Sequence, residues 1–311
     1  MIAWPPHARP CCSNRETFHH GGIMSSPSLF LVDVFAERPY AGNQLAVVIG
    51  ADGWATERMQ AFAQEMNFSE TTFVASTTPR DGGYDVRIFT PAEELPFAGH
   101  PTLGTAWVLR NFVIGSAAGS VTLNLRVGAI AVSFEGDDGS GRCWLRPRPP
   151  VLGPVRNVLE IASVLGLPLQ AIDQRFVCQD VAVGVEFVLV PLRSLEALRS
   201  LRPPSIPATL SGKGTGVLAF CAGGYDEGGE IAARMFFDAR GIREDPATGS
   251  ANACLAAYVS EHRFLGGDVV EARVQQGYEI DRPSTLYLRA ASPQEVQVGG
   301  KVVLVARGEV A

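Results

Sequence analysis

The sequence has few charged residues and no dense run of basic ones. Charged side chains make up 19% of its 311 residues, and 26 Lys and Arg against 32 Asp and Glu give a formal net charge of −6. Binding to nucleic acid or to an acidic membrane surface needs clustered positive charge, so neither partner is expected. No run of about 18 apolar residues occurs either, and no transmembrane helix is predicted.

Disulfide and metal-ligand spacings are also absent. The six cysteines stand at positions 11, 12, 143, 178, 221 and 254, and the last four lie in apolar or mixed runs. This pattern predicts buried, reduced thiols and a cytoplasmic protein. The five histidines form no HExxH motif or other paired spacing, so no metal site is expected.

Motifs for nucleotide cofactors and serine nucleophiles are missing. No GxGxxG follows a strand, and "GKGTG" (212–216) lacks the Walker spacing. No GxSxG elbow is present. Chemistry in this chain is therefore expected to depend on its own acidic and histidine side chains.

The chain divides into an extension and two domains. Residues 1–27 are rich in Pro, Gly, Ser and His, which predicts a disordered extension without a secretory signal. From Leu29 onward short strands alternate with helices, and the prolines of "RCWLRPRPP" indicate a linker. We predict domains over 28–145 and 146–311, with the option that the final strands return to the first domain.

Apolar periodicity predicts the elements. Helices are expected at 55–67 (capped by Thr56), 101–112, 158–166 and 250–260. Strands are expected at 29–35, 43–49, 71–76, 84–90, 183–192, 216–222 and 230–238, with a hairpin over 120–136 and strands near 271–275, 285–290 and 296–307.

The two halves contain a local repeat. "RIFTPAEELPFAGHPTLGTAWVL" (87–109) matches "RMFFDARGIREDPATGSANACLAAY" (234–258). In both, a strand that begins with Arg leads through an acidic loop to a turn of small residues and an apolar helix. Its occurrence in each half predicts a pseudo-twofold molecule of two domains.

The repeat predicts two helix starts, near Gly99 and near Gly249. A helix start offers unpaired N–H groups and the positive end of the helix dipole. Glycine lets a ligand approach that backbone closely. Two such starts facing one interdomain cleft would form a cofactor-free site for a small carboxylate.

Acid–base candidates lie near these turns. Glu70 can abstract a proton if its site is apolar, and the alternative is an ordinary exposed loop carboxylate. His100 can carry protons or cap and pack its helix, and Asp245 can act chemically or hold its turn. Ser250 can cap its helix. A solvated acidic rim is expected from Glu93, Glu94 and Glu244.

Four quoted stretches resemble one known family. "DVFAERPYAGNQLAVV", "NFSETTFV", "RIFTPAEELPFAGHPTLGTAW" and "EDPATGSANACLAAYV" occur in order and are similar to the PhzF family of phenazine-biosynthesis isomerases. The resemblance implies an α+β, diaminopimelate epimerase-like fold. That fold has two pseudo-symmetric domains, each a mostly antiparallel sheet or barrel wrapped around a central helix, with the site between them.

The resemblance also implies roles and partners. Glu70, His100 and Asp245 would be the catalytic residues, and the substrate-binding positions would be Ser69, Gly99, Gly249 and Ser250. It implies a homodimer that needs no metal or organic cofactor. Related epimerases use a cysteine at each helix start, whereas these turns read "AGH" and "TGSA". A two-thiol racemase is therefore disfavoured.

The sequence thus predicts a cofactor-independent isomerase that shifts a proton within a small carboxylate-bearing metabolite. Glu70 would provide acid–base catalysis in the interdomain cleft. Two alternatives stay open: an epimerase or racemase that uses Glu70 and His100 in place of the cysteine pair, and a non-catalytic binding or scaffold protein of the same fold.

Overall fold

The computed structural model describes residues 26–136, 141–204, 216–239 and 242–311. The predicted extension over 1–27 lies outside these ranges apart from Ser26 and Pro27. The carbonyl oxygen of Pro27 accepts a 2.8 Å hydrogen bond from the backbone N–H of Val310. The first described residues are therefore tied to the last ones.

Five α-helices and 18 strands form the described fold. The helices are α1 (Thr56–Met66), α2 (Gly99–Leu109), α3 (Val158–Leu165), α4 (Leu195–Ser200) and α5 (Gly249–Glu261). The first eight strands are β1 (Ser28–Val34), β2 (Asn43–Ile49), β3 (Glu70–Val74), β4 (Tyr84–Phe89), β5 (Glu94–Leu95), β6 (Ser120–Leu125), β7 (Gly128–Phe134) and β8 (Cys143–Leu145). The remaining ten are β9 (Val151–Val155), β10 (Gln179–Ala182), β11 (Glu186–Leu192), β12 (Gly216–Ala222), β13 (Ile231–Ala239), β14 (Ile242–Asp245), β15 (Val270–Gln276), β16 (Ser284–Ser292), β17 (Glu295–Gly300) and β18 (Val302–Glu309).

The strand pairing repeats itself in the two halves. In the first, β1 and β2 are antiparallel, β2 and β3 parallel, β3 and β4 antiparallel, β4 and β6 parallel, and β6, β7 and β8 antiparallel in turn. In the second, β10, β11, β12, β13, β15, β16 and β17 follow the same order and sense. The short strands β5 and β14 pair with β4 and β13. The predicted pseudo-twofold symmetry is confirmed.

The halves join where β8 pairs antiparallel with β17. The strand that follows each of them joins the sheet of the other half: β9 pairs with β10 of the second half, and β18 pairs with β1 of the first. Each half is thus completed by a strand that arrives from across the junction. The predicted division between residues 145 and 146 stays a prediction.

The helices α2 and α5 are buried on all sides. They carry apolar or small residues around their whole circumference, as expected of helices enclosed by a sheet. Close packing against the strands depends on small residues in α2. A β-carbon added to Gly104 would lie 2.6 Å from Leu45 Cδ2 and 2.8 Å from Val34 Cγ2. Within the described ranges, no helix is long and apolar enough to span a bilayer.

Most predicted elements are confirmed to within a few residues, including α2, α5 and the β6–β7 hairpin. The predicted cap of α1 is wrong, because Ala55 occupies the N-cap position and no side chain caps the helix. The single strand expected over 296–307 is also wrong. The chain leaves β17 at Gly300 and crosses to β1 as β18.

Candidate active site

Glu70 and His100 meet where two elements begin. Asn67 ends α1 in the left-handed region (φ 52°), and the chain then turns so that β3 begins at Glu70. His100 is the second residue of α2. Glu70 Oε2 lies 3.4 Å from His100 Nε2, and their side chains are 16% and 7% exposed. These two predicted site residues are therefore in contact and largely shielded from water.

The imidazole of His100 is neutral near pH 7. Burial lowers the pKa of His100 to about 3, and a hydrogen bond to the backbone of Gln44 opposes this shift only in part. A neutral imidazole donates through one nitrogen and accepts through the other. With the ring also bonded to Gln44, Nε2 faces the Glu70 carboxyl group. A neutral imidazole nitrogen is therefore placed next to the carboxyl group of Glu70.

Asp245 is the last residue of β14 and is held by neutral donors. Asn43 Nδ2 donates to its Oδ1 at 3.0 Å, and the Thr248 hydroxyl donates to its Oδ2. Gln276 Nε2 donates to its backbone oxygen at 2.8 Å. Burial raises the pKa of Asp245 to about 6, and the Thr248 and Asn43 hydrogen bonds oppose that rise. Asp245 therefore titrates near neutral pH.

The start of β2 connects all three predicted catalytic residues. Its first three residues each contact one of them: Asn43 contacts Asp245, Gln44 contacts His100, and Leu45 pairs with Glu70 in the β2–β3 ladder. Consecutive Cα atoms are about 3.8 Å apart, so these anchoring points lie close together. The fold brings together residues from both halves around one short backbone segment.

The starts of α2 and α5 face each other. A β-carbon added to Gly99 would lie 3.5 Å from both the Cα atom of Gly249 and the backbone nitrogen of Ser250. Neither helix has a side-chain cap, and the Thr248 hydroxyl that could cap α5 is bonded to Asp245 instead. The first N–H groups of both helices are thus left without capping side chains.

The two predicted substrate-binding serines lie in different surroundings. Ser250 is the second residue of α5, so the alternative that it caps this helix is wrong; the N-cap position belongs to Thr248. Ser69 is half-buried one position before Glu70. Within the described residues, no hydrogen bond joins the Ser69 side chain to His100 or Asp245.

A small apolar cavity of about 10 Å³ lies between the two helix starts. Among the residues that line it are Gly99, Leu103, Val183, Gly249, Ser250 and Val298. Glu70, His100 and Asp245 do not line it. The cavity is about the size of one water molecule.

The predicted solvated acidic rim is wrong for two of its three members. Glu244 is only 4% exposed and pairs at 2.7 Å with Arg234, which is equally buried. Glu94 pairs in the same way with Arg87 at 2.7 Å. These equivalent pairs hold the β13–β14 and β4–β5 hairpins, and so fix the turns that lead into α5 and α2.

Neither of the turns that lead into α2 and α5 carries a cysteine that could act as a catalytic thiol. Cys254 lies within α5, is fully buried, and directs its Sγ atom to the carbonyl oxygen of Val181 at 3.4 Å. Burial raises its pKa far above the usual range. Within the described ranges, no cluster of three or more His, Cys, Asp or Glu residues is arranged to hold a metal ion.

Comparisons with known proteins identify the family. The profile of the family described as "Phenazine biosynthesis-like protein" (PhzC-PhzF) matches residues 32–308. The trans-2,3-dihydro-3-hydroxyanthranilate isomerase of Pseudomonas aeruginosa is 36% identical over 286 residues, covering 89% of this chain and 97% of that protein. The enzyme of the same name from Pseudomonas fluorescens is 36% identical over 289 residues, covering 90% and 98%. This chain belongs to the phenazine biosynthesis-like family.

Solved structures agree with this assignment. The crystal structure of a phenazine biosynthesis protein of the PhzF family from Bacillus anthracis matches with a TM-score of 0.80 and 26% identity, covering 93% of this chain and all of that one. A hydroxyproline epimerase from Agrobacterium vitis shares the fold, with a TM-score of 0.57, 14% identity and 93% coverage of both chains. The predicted two-domain, diaminopimelate epimerase-like fold is confirmed, and like its relatives in the phenazine biosynthesis-like family the chain is an isomerase.

Asn43 is the site residue that the sequence reasoning did not single out. It stands in the quoted stretch "DVFAERPYAGNQLAVV", where a polar residue opens an otherwise apolar strand. This polar residue at the start of an apolar strand was the sequence signal that could have identified Asn43 as a site residue. Its partner Asp245 lies 202 positions away, so the contact depends on how the two halves of this family fold meet.

Proposed function

We propose that the protein is a cofactor-independent isomerase that moves a proton within a small carboxylate-bearing metabolite. The observation that carries the proposal is the 3.4 Å contact between Glu70 and His100. A shielded carboxylate can abstract a proton from carbon, and an adjacent neutral imidazole can accept and return it. Two proton carriers in one place suit a reaction in which the proton leaves one carbon and reaches another.

Each part of the site has a role in this reaction. Glu70 removes a proton from a carbon next to an activating group, and negative charge spreads over the substrate. The uncapped N–H groups at the starts of α2 and α5 stabilise that charge and hold the carboxylate. Glu70 or His100 then returns the proton at the second carbon. Asp245 positions an amine or a hydroxyl group of the substrate.

The relatives' substrate supplies a specific candidate. A trans-2,3-dihydro-3-hydroxyanthranilate molecule carries a carboxylate, an amine and a hydroxyl group, which match the helix starts and Asp245 in chemical type. The cavity of about 10 Å³ is too small for such a molecule, because pockets for small ligands are on the order of 300 Å³ or more. We propose that the two halves separate to admit the substrate and close over it.

The proposal is tested by incubating the enzyme with this compound and related cyclic amino acids in deuterium oxide. Mass spectrometry should find a rearranged product that has gained one deuterium on carbon. Inversion at a single carbon of amino or imino acids, without rearrangement, would favour the epimerase alternative. A homodimer, a cytoplasmic location and independence from metals belong to the same proposal, with the family resemblance as their support.

A further inference from the structure

Asn43 connects one half of the molecule to the turn that precedes α5. It opens β2 and is only 1% exposed. Its amide nitrogen donates to Asp245 Oδ1 at 3.0 Å and to the carbonyl oxygen of Ala247 at 2.9 Å. Both amide hydrogens are therefore committed to a segment of the other half.

The loop that leads to Asn43 is fixed from the same direction. Arg282 of the second half pairs with Asp33 at 2.6 Å and donates to the carbonyl oxygens of Ala41 and Gly42 at 2.7 and 2.9 Å. The N–H of Gly42 donates to the carbonyl oxygen of Pro283 at 3.0 Å. These bonds hold the residues before Asn43 against the second half, so its side chain has little freedom to leave Asp245.

Asp245 depends on neutral donors alone. The groups bonded to its side chain are Asn43 from β2 and Thr248 from the turn, while Gln276 from β15 bonds its backbone. Among the described residues, no Arg, Lys or His pairs with this carboxylate. The neighbouring carboxylate of Glu244 is already occupied by Arg234. Each donor therefore has a large share in keeping a buried carboxylate ionised.

We propose that Asn43 is a positioning residue that orients the Asp245 carboxylate and keeps it ionised in the closed site. The inference rests on the proposed function, in which Asp245 holds an amine or hydroxyl group of the substrate. Asn43 acts on the substrate only through Asp245. Because Gln44 and Leu45 follow it along β2, the same anchor also sets the distance from Asp245 to His100 and Glu70.

Removing the amide changes a measurable property of Asp245. In Asn43→Ala the ionised carboxylate keeps Thr248 but loses the donor on Oδ1. The ionised form is then less stable, and the pKa of Asp245 rises by about one unit, the size expected for one lost hydrogen bond to a buried charge. The Thr248 hydroxyl is then the remaining donor to the carboxylate side chain, so its orientation is less restricted.

The chain offers a chemically matched control. Asn124 donates to Asp85 Oδ1 at 3.0 Å and to the carbonyl oxygen of Arg80 at 2.9 Å, the same pair of bonds that Asn43 makes. It lies on β6, away from the predicted catalytic residues. Asn124→Ala therefore removes an equivalent amide without touching the site.

The experiment is a titration of the full chain carrying carbon-13-labelled aspartate, with the Asp245 signal assigned by Asp245→Asn. The signal should titrate near pH 6 in the wild type and in Asn124→Ala, and about one unit higher in Asn43→Ala. Deuterium uptake by the substrate should fall about threefold near pH 6.5 and about tenfold near pH 5 in Asn43→Ala, because the ionised fraction of Asp245 falls by these factors, and it should remain unchanged in Asn124→Ala.

The outcomes separate this inference from the proposed function. If the Asp245 signal titrates at the same pH in Asn43→Ala and in the wild type, the inference is overturned. It is also overturned if the signal shifts while deuterium uptake keeps its rate at every pH. If the wild type itself exchanges no substrate hydrogen, the proposed function fails. The role of Asn43 in positioning Asp245 for catalysis then fails with it. The titration still shows whether Asn43 controls the ionisation of Asp245.

Discussion

Glu70 Oε2 and His100 Nε2 lie 3.4 Å apart, with one side chain provided by a strand start and the other by a helix start. The contact places the carboxyl group of Glu70 beside an imidazole that burial keeps neutral. An ionised carboxylate beside the ring would favour the imidazolium, whereas burial disfavours it. Burial dominates at His100, so the imidazole stays neutral near pH 7 and Glu70 is the member of the pair suited to abstract the proton in the proposed isomerisation.

His100 should make the stability of the protein depend on pH. Its pKa is about 3 in the folded state and 6.5 in the unfolded state, so the unfolded state binds the proton first as the pH falls. Stability should therefore decrease as the pH falls from 6.5 towards 3, by up to about 1.4 kcal/mol per pH unit from this residue. Urea unfolding of wild type and His100→Asn across this range measures the effect.

The informative quantity is the difference between the two proteins. The advantage of the wild type over His100→Asn should shrink steadily below pH 6.5. Asp245 acts in the opposite sense, since its folded pKa of about 6 exceeds 3.8, but it is present in both proteins and cancels. Parallel stability curves would show that His100 takes up its proton equally in the folded and unfolded states.

The buried pair Arg234–Glu244 should stabilise the fold more than its equivalent Arg87–Glu94. Both members of the first are 4% exposed, whereas Arg87 is 34% exposed. Glu244→Ala leaves a buried guanidinium without its main partner and should cost about 3 kcal/mol. Glu94→Ala leaves a partly hydrated one and should cost about 1 kcal/mol. Urea unfolding of the two variants tests the ranking, and equal losses would refute it.

Gly42 is required where the loop before β2 turns back. Its φ is +68°, and an added β-carbon would lie 2.3 Å from the carbonyl oxygen of Val34. Gly42→Ala therefore combines a strained backbone with a collision and should cost about 2–4 kcal/mol. Gly53→Ala is the control, because Gly53 has a φ of +77° and nothing within 4 Å of the added carbon. It should cost about 1 kcal/mol, and a similar loss in both variants would show that the collision is relieved without cost.

Local patterns in the sequence predicted much of the fold. Continuous runs of apolar and small residues predicted the buried helices α2 and α5. Alternation of apolar and polar residues predicted the β6–β7 hairpin. Both patterns are local, so they can be recognised without knowing the tertiary contacts. The change of strand partner after Gly300 was not predictable in this way. "EVQVGGKVVLVARGEV" contains Gly299 and Gly300 just before the break, but nothing in the stretch indicates that its second part pairs with the distant strand β1.

The sequence predicted part of the candidate site, as it predicted part of the fold. Resemblance of short motifs pointed to Glu70 and His100, and the structure brings them into contact. Their roles in catalysis stay a prediction. What the sequence could not show was the burial of Glu244 and the bond from Asn43 to Asp245, because both depend on contacts between distant segments. The sequence showed that Arg87 and Arg234 occupy equivalent positions in the repeat. It did not show that each makes two hydrogen bonds to one glutamate, Glu94 or Glu244.

The most direct test concerns Glu70. Deuterium uptake by trans-2,3-dihydro-3-hydroxyanthranilate should be measured with wild type, Glu70→Gln and Glu65→Gln, the last altering an exposed glutamate on α1. Glu70→Gln should slow exchange by about 10²–10⁴-fold while its thermal unfolding stays close to that of the wild type, and Glu65→Gln should leave the rate unchanged. Exchange by folded Glu70→Gln at the wild-type rate would contradict the assignment of Glu70 as the proton-abstracting base.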